Sequence, residues 1–418
     1  MDARAGYELG WMFIDINAYF ATVEQEERPE LRGRPIGIVP VQAESTCCIA
    51  VSYEAKAYGI RTGLRVSAAR ALCPQLELVL ARPRLYVEYH HRIKAAIERC
   101  VPVQQAMSCD EFACRLMGRE CEVERAVEIA EAVKEEIRGV GRTIRCSIGI
   151  GPNRLLAKIA GEMQKPDGLT VLERRGLPQS LYGLELHRIP GIGRRMERRV
   201  HGAGVQTMEQ LCALPRDAMK RIWGGVWGDR MWLWLRGEDF LEPAPPKVPQ
   251  SLMRQHILPP NCRTYEQGRA VAIKLMHSTA RKMRMQGLWA SAIYLRVGYM
   301  GKRYAYDAHV NLVSCQDPYI LQAHMIDLWN SSPSADRPAD LTVALTGLTS
   351  EPPVELFETA PNARSKVVSS LDALNGRFGL NTVYFGSIHN VRKEAPTRVP
   401  FGPPPALSEF RDTADPED

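Results

Sequence analysis

Short apolar runs alternate with helical repeats of apolar residues along the first part of the chain. Trp11–Ile14 is a continuous apolar run, which predicts a buried strand. From about Ala18 the spacing changes to that of a helix that keeps Tyr19 and Val23 on one face. Asp15 lies at the changeover. A carboxylate at the end of a strand that opens into a helix can hold an ion or a ligand at a fixed backbone position.

Further strands and helices alternate after this first pair. Strands are predicted at Arg34–Val39, Cys47–Ser52, Ser108–Leu116 and Ile144–Ile150, and helices at Tyr53–Tyr58, Gly63–Ala71, Tyr86–Cys100, Cys121–Arg138 and Gly151–Glu162. This alternation predicts an α+β sheet domain.

The pattern changes from about Gly176. Little between Leu186 and Gly237 is typical of a strand, and a helix is predicted at Arg194–Val200. Residues 187–236 hold ten Lys or Arg against four Asp or Glu. The segment Glu242–Gln250 has four prolines, which predict a stiff, extended linker.

A second sheet pattern begins after this linker. Its predicted elements are the strand Ser251–Leu258, the helix Thr264–Met285, the strands Trp289–Tyr299 and Arg303–Val313, the helix Pro318–Trp329 and the strand Leu341–Leu348. The order is β-α-β-β-α-β. The first helix is rich in basic residues, namely Arg269, Lys274, Arg281, Lys282 and Arg284. The tail after about Val391 has six prolines and more acid than base, so we expect its end to be disordered.

Composition narrows the class of protein. A chain of 418 residues is too long for one core and predicts about three or four domains. The net charge of +6 and the pI of about 8.7 permit a polyanionic partner. The start MDARAGYELG does not resemble a signal peptide, and no apolar run is long enough to span a bilayer, so we expect a cytoplasmic protein without membrane contact. Eleven cysteines occur without a CxxC pair, which favours small core residues over a zinc site or disulfides.

Acidic residues on two predicted strands form the main candidate site. Asp15 ends the first strand, and Asp110 and Glu111 lie in the later stretch AMSCDEFACRL. Carboxylates that two strands bring to one point can hold two divalent ions for phosphoryl transfer. Each also has a structural alternative, as a helix N-cap for Asp15 and as a solvated turn for Asp110 and Glu111. Consecutive strand residues point to opposite faces, so both can serve one site only at a strand end, a bulge or a tight turn.

Three other residues suit a triphosphate, which needs cationic and hydroxyl donors. Tyr53 and Lys56 are three residues apart and share a helix face. Lys165 lies in QKPDG, where a helix runs into a turn. Each of the two lysines, taken alone, is more typical of an ordinary exposed surface lysine.

A glycine-rich hairpin precedes a basic helix in LHRIPGIGRRMERR. Gly191 and Gly193 allow a close approach of a nucleic-acid strand, and backbone N–H groups at the start of the helix can bind a phosphate. The alternative is a plain turn. The adjoining Arg194 and Arg195 favour contact with a nucleic acid.

These motifs, in this order, resemble the Y-family translesion DNA polymerases, of the bacterial DinB (DNA polymerase IV) or UmuC kind. The matching segments are FIDINAYFATVEQ, AVSYEAKAYGIRTG, SCDEF, CSIGIGPNRLLAKIAGEMQKPDG, the PGIG hairpin, WLRGEDF, SLMRQHILPP and LDALNGRFGLNTVYFGS. The resemblance implies an α+β, multidomain, right-hand polymerase. Its parts would be a ferredoxin-like palm (1–18 and 82–172), small fingers (19–81), a helical thumb with a helix-hairpin-helix (173–240), a linker (241–250), a β-α-β-β-α-β little finger (251–350) and a C-terminal extension (351–418).

The resemblance also implies a role for each candidate residue. Asp15, Asp110 and Glu111, with the backbone of Ile16, would bind two Mg²⁺ ions. Tyr53, Lys56 and Lys165 would hold the incoming deoxynucleoside triphosphate, and Ile49 would lie near the templating base pair. Phe20 would be the steric gate that excludes a ribose 2′-hydroxyl, although without the resemblance it would pass for a core aromatic.

Three positions depart from the family pattern. Asn17 stands where many relatives have a second acid, Cys109 where a branched aliphatic residue is common, and Lys56 where an arginine is frequent. Lys56 cannot make the bidentate hydrogen bonds to a phosphate that a guanidinium can make. None of the three departures removes a metal ligand.

The expected partners follow from the same resemblance. They are primer-template DNA, an incoming dNTP and, through the loosely matching peptide Pro405–Phe410, a sliding clamp. We expect a bacterial, nucleoid-associated monomer that performs low-fidelity translesion synthesis. Two rivals stay open: a non-catalytic DNA-binding accessory of the same fold, and a nucleotide cyclase-like enzyme.

Overall fold

A computed structural model of the chain describes residues 8–44, 46–240, 248–352 and 363–396, together with residues 402, 404 and 407. Most of the predicted linker, most of the predicted clamp peptide and the end of the tail lie outside these residues. The chain divides into two compact units. The first comprises Met1–Glu242 with Val399–Ala406, and the second Pro243–Arg398 with Leu407–Asp418.

A five-stranded sheet forms the centre of the first unit, and β1 (Trp11–Ile16) is its middle strand. The other strands are β5 (Val103–Ala106) and β6 (Glu111–Arg115) on one side of β1, and β7 (Cys146–Gly151) and β8 (Leu169–Val171) on the other side. β1 is antiparallel to β6 and β7, and β7 is parallel to β8. All six residues of β1 are buried, which explains its continuous apolar run.

Helices cover both faces of this sheet. One face carries α1 (Tyr19–Glu27), α4 (Pro83–Glu98) and α5 (Val123–Arg138). Met12, Ile14 and Ile16 point to that face and belong to its buried cluster. Phe13, which alternates with them, packs instead with Ala157 of α6 (Arg154–Met163).

A smaller sheet and a helical group complete the first unit. The small sheet has the order β3 (Ala50–Val51), β2 (Ile36–Val39), β4 (Glu77–Leu80) and is joined by the short helices α2 (Tyr53–Ala57) and α3 (Val66–Leu72). The helical group consists of α7 (Arg194–Gly202), α8 (Met208–Ala213), α9 (Arg216–Trp223) and α10 (Gly225–Trp234). The described residues from 186 to 237 contain no strand, as the sequence predicts.

The second unit confirms the predicted β-α-β-β-α-β order. Its elements are β9 (Ser251–Ile257), α11 (Tyr265–Met285), β10 (Ala290–Tyr299), β11 (Ala305–Cys315), α12 (Pro318–Asn330) and β12 (Pro338–Thr346). The four strands form an antiparallel sheet in the order β11-β10-β12-β9. The C-terminal segment adds α13 (Ala363–Phe378) and a 3-10 helix at Gly386–Val391, neither of which the sequence analysis predicts.

The sequence predicts five basic residues on α11, and the C-terminal segment occupies part of this basic face. Lys274 is 7% exposed, and its Nζ donates to the backbone carbonyls of Arg392 and Glu394. The guanidinium of Arg284 makes two hydrogen bonds of 2.7 and 2.9 Å to Asp372 of α13. These two cations therefore stabilise the unit internally and do not form part of an open basic surface.

Other differences concern short elements. The sequence does not predict β4, β5 and β8. These strands have only three or four residues each, too few to show a clear alternation of apolar and polar residues. The predicted helix 63–71 begins only at Val66, because Gly63 has a φ of +87° in a turn. β1 reaches Ile16, two residues beyond the predicted strand.

The cysteines of the described chain are all free thiols, and most are buried, as expected for small core residues. No helix in the ranges that the structure describes has the length and apolar character needed to cross a bilayer.

Gly149 of β7 lies where α6 approaches the sheet most closely. A Cβ atom there would come within 2.0 Å of the carbonyl oxygen of Ala157 and within 2.1 Å of the Gly161 nitrogen. Both atoms are backbone, so the clash cannot be relieved by a rotamer change. We expect Gly149→Ala to lower the free energy of unfolding by about 3 kcal/mol, measured by urea denaturation.

The matched control is Gly183→Ala, where a Cβ would meet no atom within 4 Å. Its free energy of unfolding should change by less than about 0.5 kcal/mol. Equal stability of both variants would show that α6 and β7 can move apart at no cost.

Candidate active site

The turn from β1 into α1 places two predicted site residues on one cleft. Ala18 has the left-handed dihedral angles φ 48° and ψ 43°, so the chain reverses sharply before α1 begins at Tyr19. Ala18, and not Asp15, is the N-cap of α1, so the capping alternative for Asp15 is wrong. Asp15 and Phe20 both line the cleft beside this turn.

The pairing of β1 with β6 brings the three predicted carboxylates together. Asp15 lies directly opposite Glu111 in the antiparallel register, and the Ile16 N–H donates to the Asp110 carbonyl at 2.9 Å. Glu111 is the first residue of β6, so Asp110 precedes the strand. The structure thus meets the strand-end condition under which neighbouring acids can serve one site.

Each of the three carboxylates has its own hydrogen-bond or ion-pair partner. Asp15 Oδ1 lies 2.9 Å from Lys165 Nζ, and Glu111 Oε1 accepts from Lys158 Nζ at 2.6 Å. The Ser108 hydroxyl donates to Asp110 Oδ1 at 2.6 Å. In the described chain, no three acidic, histidine or cysteine side chains surround a common point. The acids therefore share one end of the sheet while their side chains contact different neighbours.

Burial and mutual repulsion raise the pKa values of Asp15 and Asp110. Burial raises the pKa of Asp15 to about 7, Lys165 opposes this rise, and Asp110 adds to it. Burial also raises the pKa of Asp110, while the bond from Ser108 opposes the rise and Glu111 adds to it. Burial works against the charge of Lys165, but Asp15 and Glu162 outweigh it and raise the pKa of this lysine. The site therefore concentrates negative charge in a place that water screens poorly.

A cleft of about 370 Å³ opens beside these carboxylates. Four of the other predicted site residues line it, namely Phe20, Ile49, Lys56 and Lys165. Ile16 also lines the cleft. Four chain segments that are far apart in sequence therefore meet at one cavity, a typical arrangement for a ligand site.

Tyr53 and Lys56 lie together on α2, as their spacing predicts. Lys56 Nζ is 4.1 Å from the centre of the Tyr53 ring. Burial lowers the pKa of Lys56 and Lys165 lowers it further, while burial raises the pKa of the Tyr53 hydroxyl. Asp15 influences both groups electrostatically, which places them beside the acidic site.

Phe20 is both part of the core edge and part of the cleft wall. Its ring stacks on Tyr86 with centroids 4.3 Å apart and an angle of 15° between planes. The Tyr86 hydroxyl donates to Glu24 at 2.8 Å, and Arg82 binds this fully buried carboxylate. The two interpretations of Phe20 are therefore compatible, since a ring held by the core can also present an edge to the cleft.

Three residues that support the site are not among the candidates that the sequence predicts, namely Ser108, Lys158 and Tyr86. Ser108 stands two residues before Asp110, and its hydroxyl also accepts the Glu111 N–H at 3.1 Å. This is a local turn that a serine so close to an aspartate could have indicated. The sequence gives no local signal for Lys158 or Tyr86, because their partners lie 47 and 62 residues away.

The predicted hairpin is present, although a short 3-10 helix at Leu186–Arg188 replaces its first α-helix. Gly191 has a φ of +92°, which favours glycine, and Gly193 is the N-cap of α7. Arg194 and Arg195 begin α7 and are exposed. The turn therefore presents backbone N–H groups and two cations to solvent.

The donors at the sheet end fit a divalent cation. Asp15, Asp110 and Glu111 supply hard oxygen ligands, and their mutual repulsion favours binding of a cation. Lys165 and Lys158 supply part of the compensating charge. This donor set suits Mg²⁺ and does not suit a thiolate-bound metal such as structural zinc.

Comparison with known proteins agrees with this geometry. Residues 14–162 match the impB/mucB/samB family, and residues 249–356 match the C-terminal domain of that family. DNA polymerase IV of Moorella thermoacetica is 36% identical over 281 residues, which are 66% of this chain and 70% of that protein. DNA polymerase IV of Pelotomaculum thermopropionicum is 29% identical over 382 residues, which are 89% and 93% of the two chains.

Solved structures show the same fold. A Y-family DNA polymerase chimera has a TM-score of 0.68 and 22% identity, and the match covers 81% of this chain and 99% of that one. An insertion ternary complex of Dbh DNA polymerase has a TM-score of 0.57 and 21% identity, with 81% and 98% covered. The chain belongs to the impB/mucB/samB family, as a relative of DNA polymerase IV with the Y-family polymerase fold.

Proposed function

We propose that this chain is a template-directed DNA polymerase that adds deoxynucleotides to a primer 3′ end and copies damaged templates with low fidelity. One observation carries the proposal. Asp15, Asp110 and Glu111 all line one cleft at the end of the sheet, and Phe20 and Lys165 line the same cleft. This arrangement supplies metal ligands, a triphosphate contact and a wall for the sugar in one place.

Two Mg²⁺ ions are the expected cofactors. Asp15, Asp110, Glu111 and the backbone of Ile16 would hold them. When bound, divalent ions lower the pKa of the attacking hydroxyl and neutralise charge on the triphosphate and the leaving pyrophosphate. Ser108 holds Asp110 in place through its hydroxyl. Positioning and charge are thus the main contributions of the protein.

The cations around the cleft bind the incoming triphosphate. Lys165 stays protonated at neutral pH, because its pKa is raised, and so it offers a full positive charge. Lys56 and Tyr53 add an ammonium and a hydroxyl from α2. Phe20 excludes the 2′-hydroxyl of a ribonucleotide, and Ile49 contacts the templating pair from the same wall.

We assign the parts of the hand at the boundaries that the sequence predicts. The five-stranded sheet corresponds to the palm (1–18 and 82–172), the small sheet to the fingers (19–81), α7–α10 to the thumb (173–240) and β9–β12 to the little finger (251–350). Gly191, Gly193, Arg194 and Arg195 bind the phosphates of primer-template DNA, so affinity falls with salt. A monomer in the cytoplasm, at the nucleoid, is the expected form, and clamp binding through 405–410 stays a prediction.

The rival functions have less support. A non-catalytic accessory protein has no need of three acids around a cleft with cationic walls. A cyclase-like enzyme has no need of the hairpin before α7 or of a second unit that matches the family's C-terminal domain.

Asp110→Ala tests the metal site. Primer extension with Mg²⁺ on an undamaged template should fall by on the order of a thousandfold, because a proposed metal ligand is lost. DNA affinity, measured by fluorescence anisotropy, should change little. Glu128→Ala removes an exposed carboxylate of α5 and should extend like the wild type. Extension by Asp110→Ala at the wild-type rate would refute the metal site. No extension by the wild type or by either variant would favour the non-catalytic accessory protein.

Phe20→Ala tests the sugar wall. Removing the ring opens space beside the cleft, so the preference for dNTP over rNTP should fall by about tenfold or more. The measurement is kcat/KM for matched dNTP and rNTP pairs. Phe378→Ala, which truncates an exposed phenylalanine of α13, is the control. Unchanged sugar selectivity in Phe20→Ala would remove the gate assignment.

Lys165→Ala tests the triphosphate contact. The KM for dNTP should rise by about tenfold while DNA affinity changes by less than about threefold, because the lost charge faces the triphosphate. Steady-state kinetics and anisotropy measure the two quantities. Lys94→Ala, which removes a surface lysine paired with Glu98, should leave both unchanged. A KM equal to that of the wild type would contradict the assignment.

A further inference from the structure

The turn of residues 165–168 joins α6 to β8 and carries Lys165. We propose that Lys134 and Asn17 are positioning residues, which hold this turn so that the Lys165 ammonium reaches the triphosphate. This inference rests on the proposed polymerase function. The resemblance assigns no role to Lys134, and it marks Asn17 only as a departure from an acid.

Lys134 is a buried lysine whose observed partners all lie in this turn. It sits on α5 and is 5% exposed. Its Nζ donates to the carbonyl of Asp167 and, at 3.3 Å, to the carbonyl of Gly168. The same nitrogen lies 2.9 Å from Asp167 Oδ1. Burial of an ammonium is costly unless it is paired, so these contacts compensate its burial and tie the turn to α5.

Asn17 reaches the same turn from the end of β1. It is 2% exposed, and its Oδ1 accepts the Asp167 N–H at 2.8 Å. Its Nδ2 donates to Ser147 Oγ at 3.0 Å. An amide can accept from the turn and donate to β7 at once, whereas an ionised carboxylate cannot donate. Asn17 therefore fixes the turn relative to the two central strands.

The backbone of the turn has little freedom of its own. Asp167 has a φ of +53°, in the left-handed region that residues other than glycine rarely adopt. A Cβ on Gly168 would lie 1.9 Å from the Gln164 carbonyl oxygen. Such a conformation persists when its surroundings determine it, and here Lys134 and Asn17 bind the backbone of the strained residue itself.

The position of Lys165 depends on this fixed turn. Lys165 stands two residues before Asp167, and its Nζ lies 2.9 Å from Asp15 Oδ1 across the site. Its other ion pair, with Glu162, is local to the same stretch and does not tie it to the sheet. A displacement of the turn by about an ångström would change the distance from this ammonium to a bound phosphate, which is enough to matter for a positioned group.

The test uses the full-length chain with primer-template DNA and Mg²⁺. Lys134→Met keeps the size of the side chain and removes the donor, while Asn17→Ala removes the acceptor from a different element. For each variant we expect the KM for dNTP to rise on the order of tenfold, with DNA affinity within about twofold of the wild type. Lys134→Arg should recover part of the KM, since a guanidinium can donate to the same carbonyls. Arg125→Met, at an exposed position of α5, is the matched control and should behave like the wild type.

A double-variant cycle separates positioning from a merely structural role. If Lys134 acts through Lys165, adding Lys134→Met to Lys165→Ala should raise the KM no further. Additive increases in KM would overturn the proposal, as would a wild-type KM in both folded single variants. If Lys134→Met does not fold in thermal denaturation, Asn17→Ala and its own cycle with Lys165→Ala decide the matter.

Direct binding distinguishes the inference from the polymerase function. The Kd of radiolabelled dATP should be weaker on the order of tenfold in Lys134→Met. It is measured by equilibrium dialysis with Mg²⁺, on the complex of the protein with DNA whose primer ends in a dideoxynucleotide, so that dATP is not incorporated. A wild type that binds dATP but extends no primer would refute the proposed function while this Kd ratio still tests the positioning. Equal Kd values, or no binding by the wild type, would overturn the positioning proposal.

Discussion

Burial of carboxylates at one end of the central sheet, reinforced by their repulsion, sets the electrostatics of the candidate site. Asp15 and Glu111 lie opposite each other in register, and Asp110 adjoins them. Burial and mutual repulsion raise the pKa of Asp15 to about 7. Cations and hydroxyls from several elements compensate this negative charge, among them Lys165 beside Asp15 and Lys158 beside Glu111. An end of a sheet arranged in this way favours divalent cations and phosphates over neutral ligands.

Rigidity around these acids comes from backbone packing. β1 is wholly buried between two antiparallel neighbours, and α6 lies so close to β7 that Gly149 has no room for a side chain. The turn after α6 is bound by Lys134 and Asn17. The acids and the lysine opposite them therefore lie on elements whose separation is set by the core. This is the support that a catalytic constellation requires.

The second unit shows that a correct sequence pattern need not reveal which of its residues are exposed. The helix α11 and its basic residues are present as predicted, yet Lys274 and Arg284 bind the C-terminal segment. Helical spacing identifies a charged face, but it cannot identify what covers that face. The covering segment lies about a hundred residues further along the chain, at Asp372 and Arg392.

The order of apolar and polar residues is enough to identify the long elements and the acids of the candidate site. Apolar periodicity persists over ten or more residues in α5 and α11, and the strand-to-helix change marks Asp15 directly. The residues that support these acids can be identified only in the folded chain. Ser108 could have been found locally, but Lys158, Lys134 and Tyr86 have partners 33 to 62 residues away. Such contacts depend on strand register and helix docking, which leave no period in the sequence.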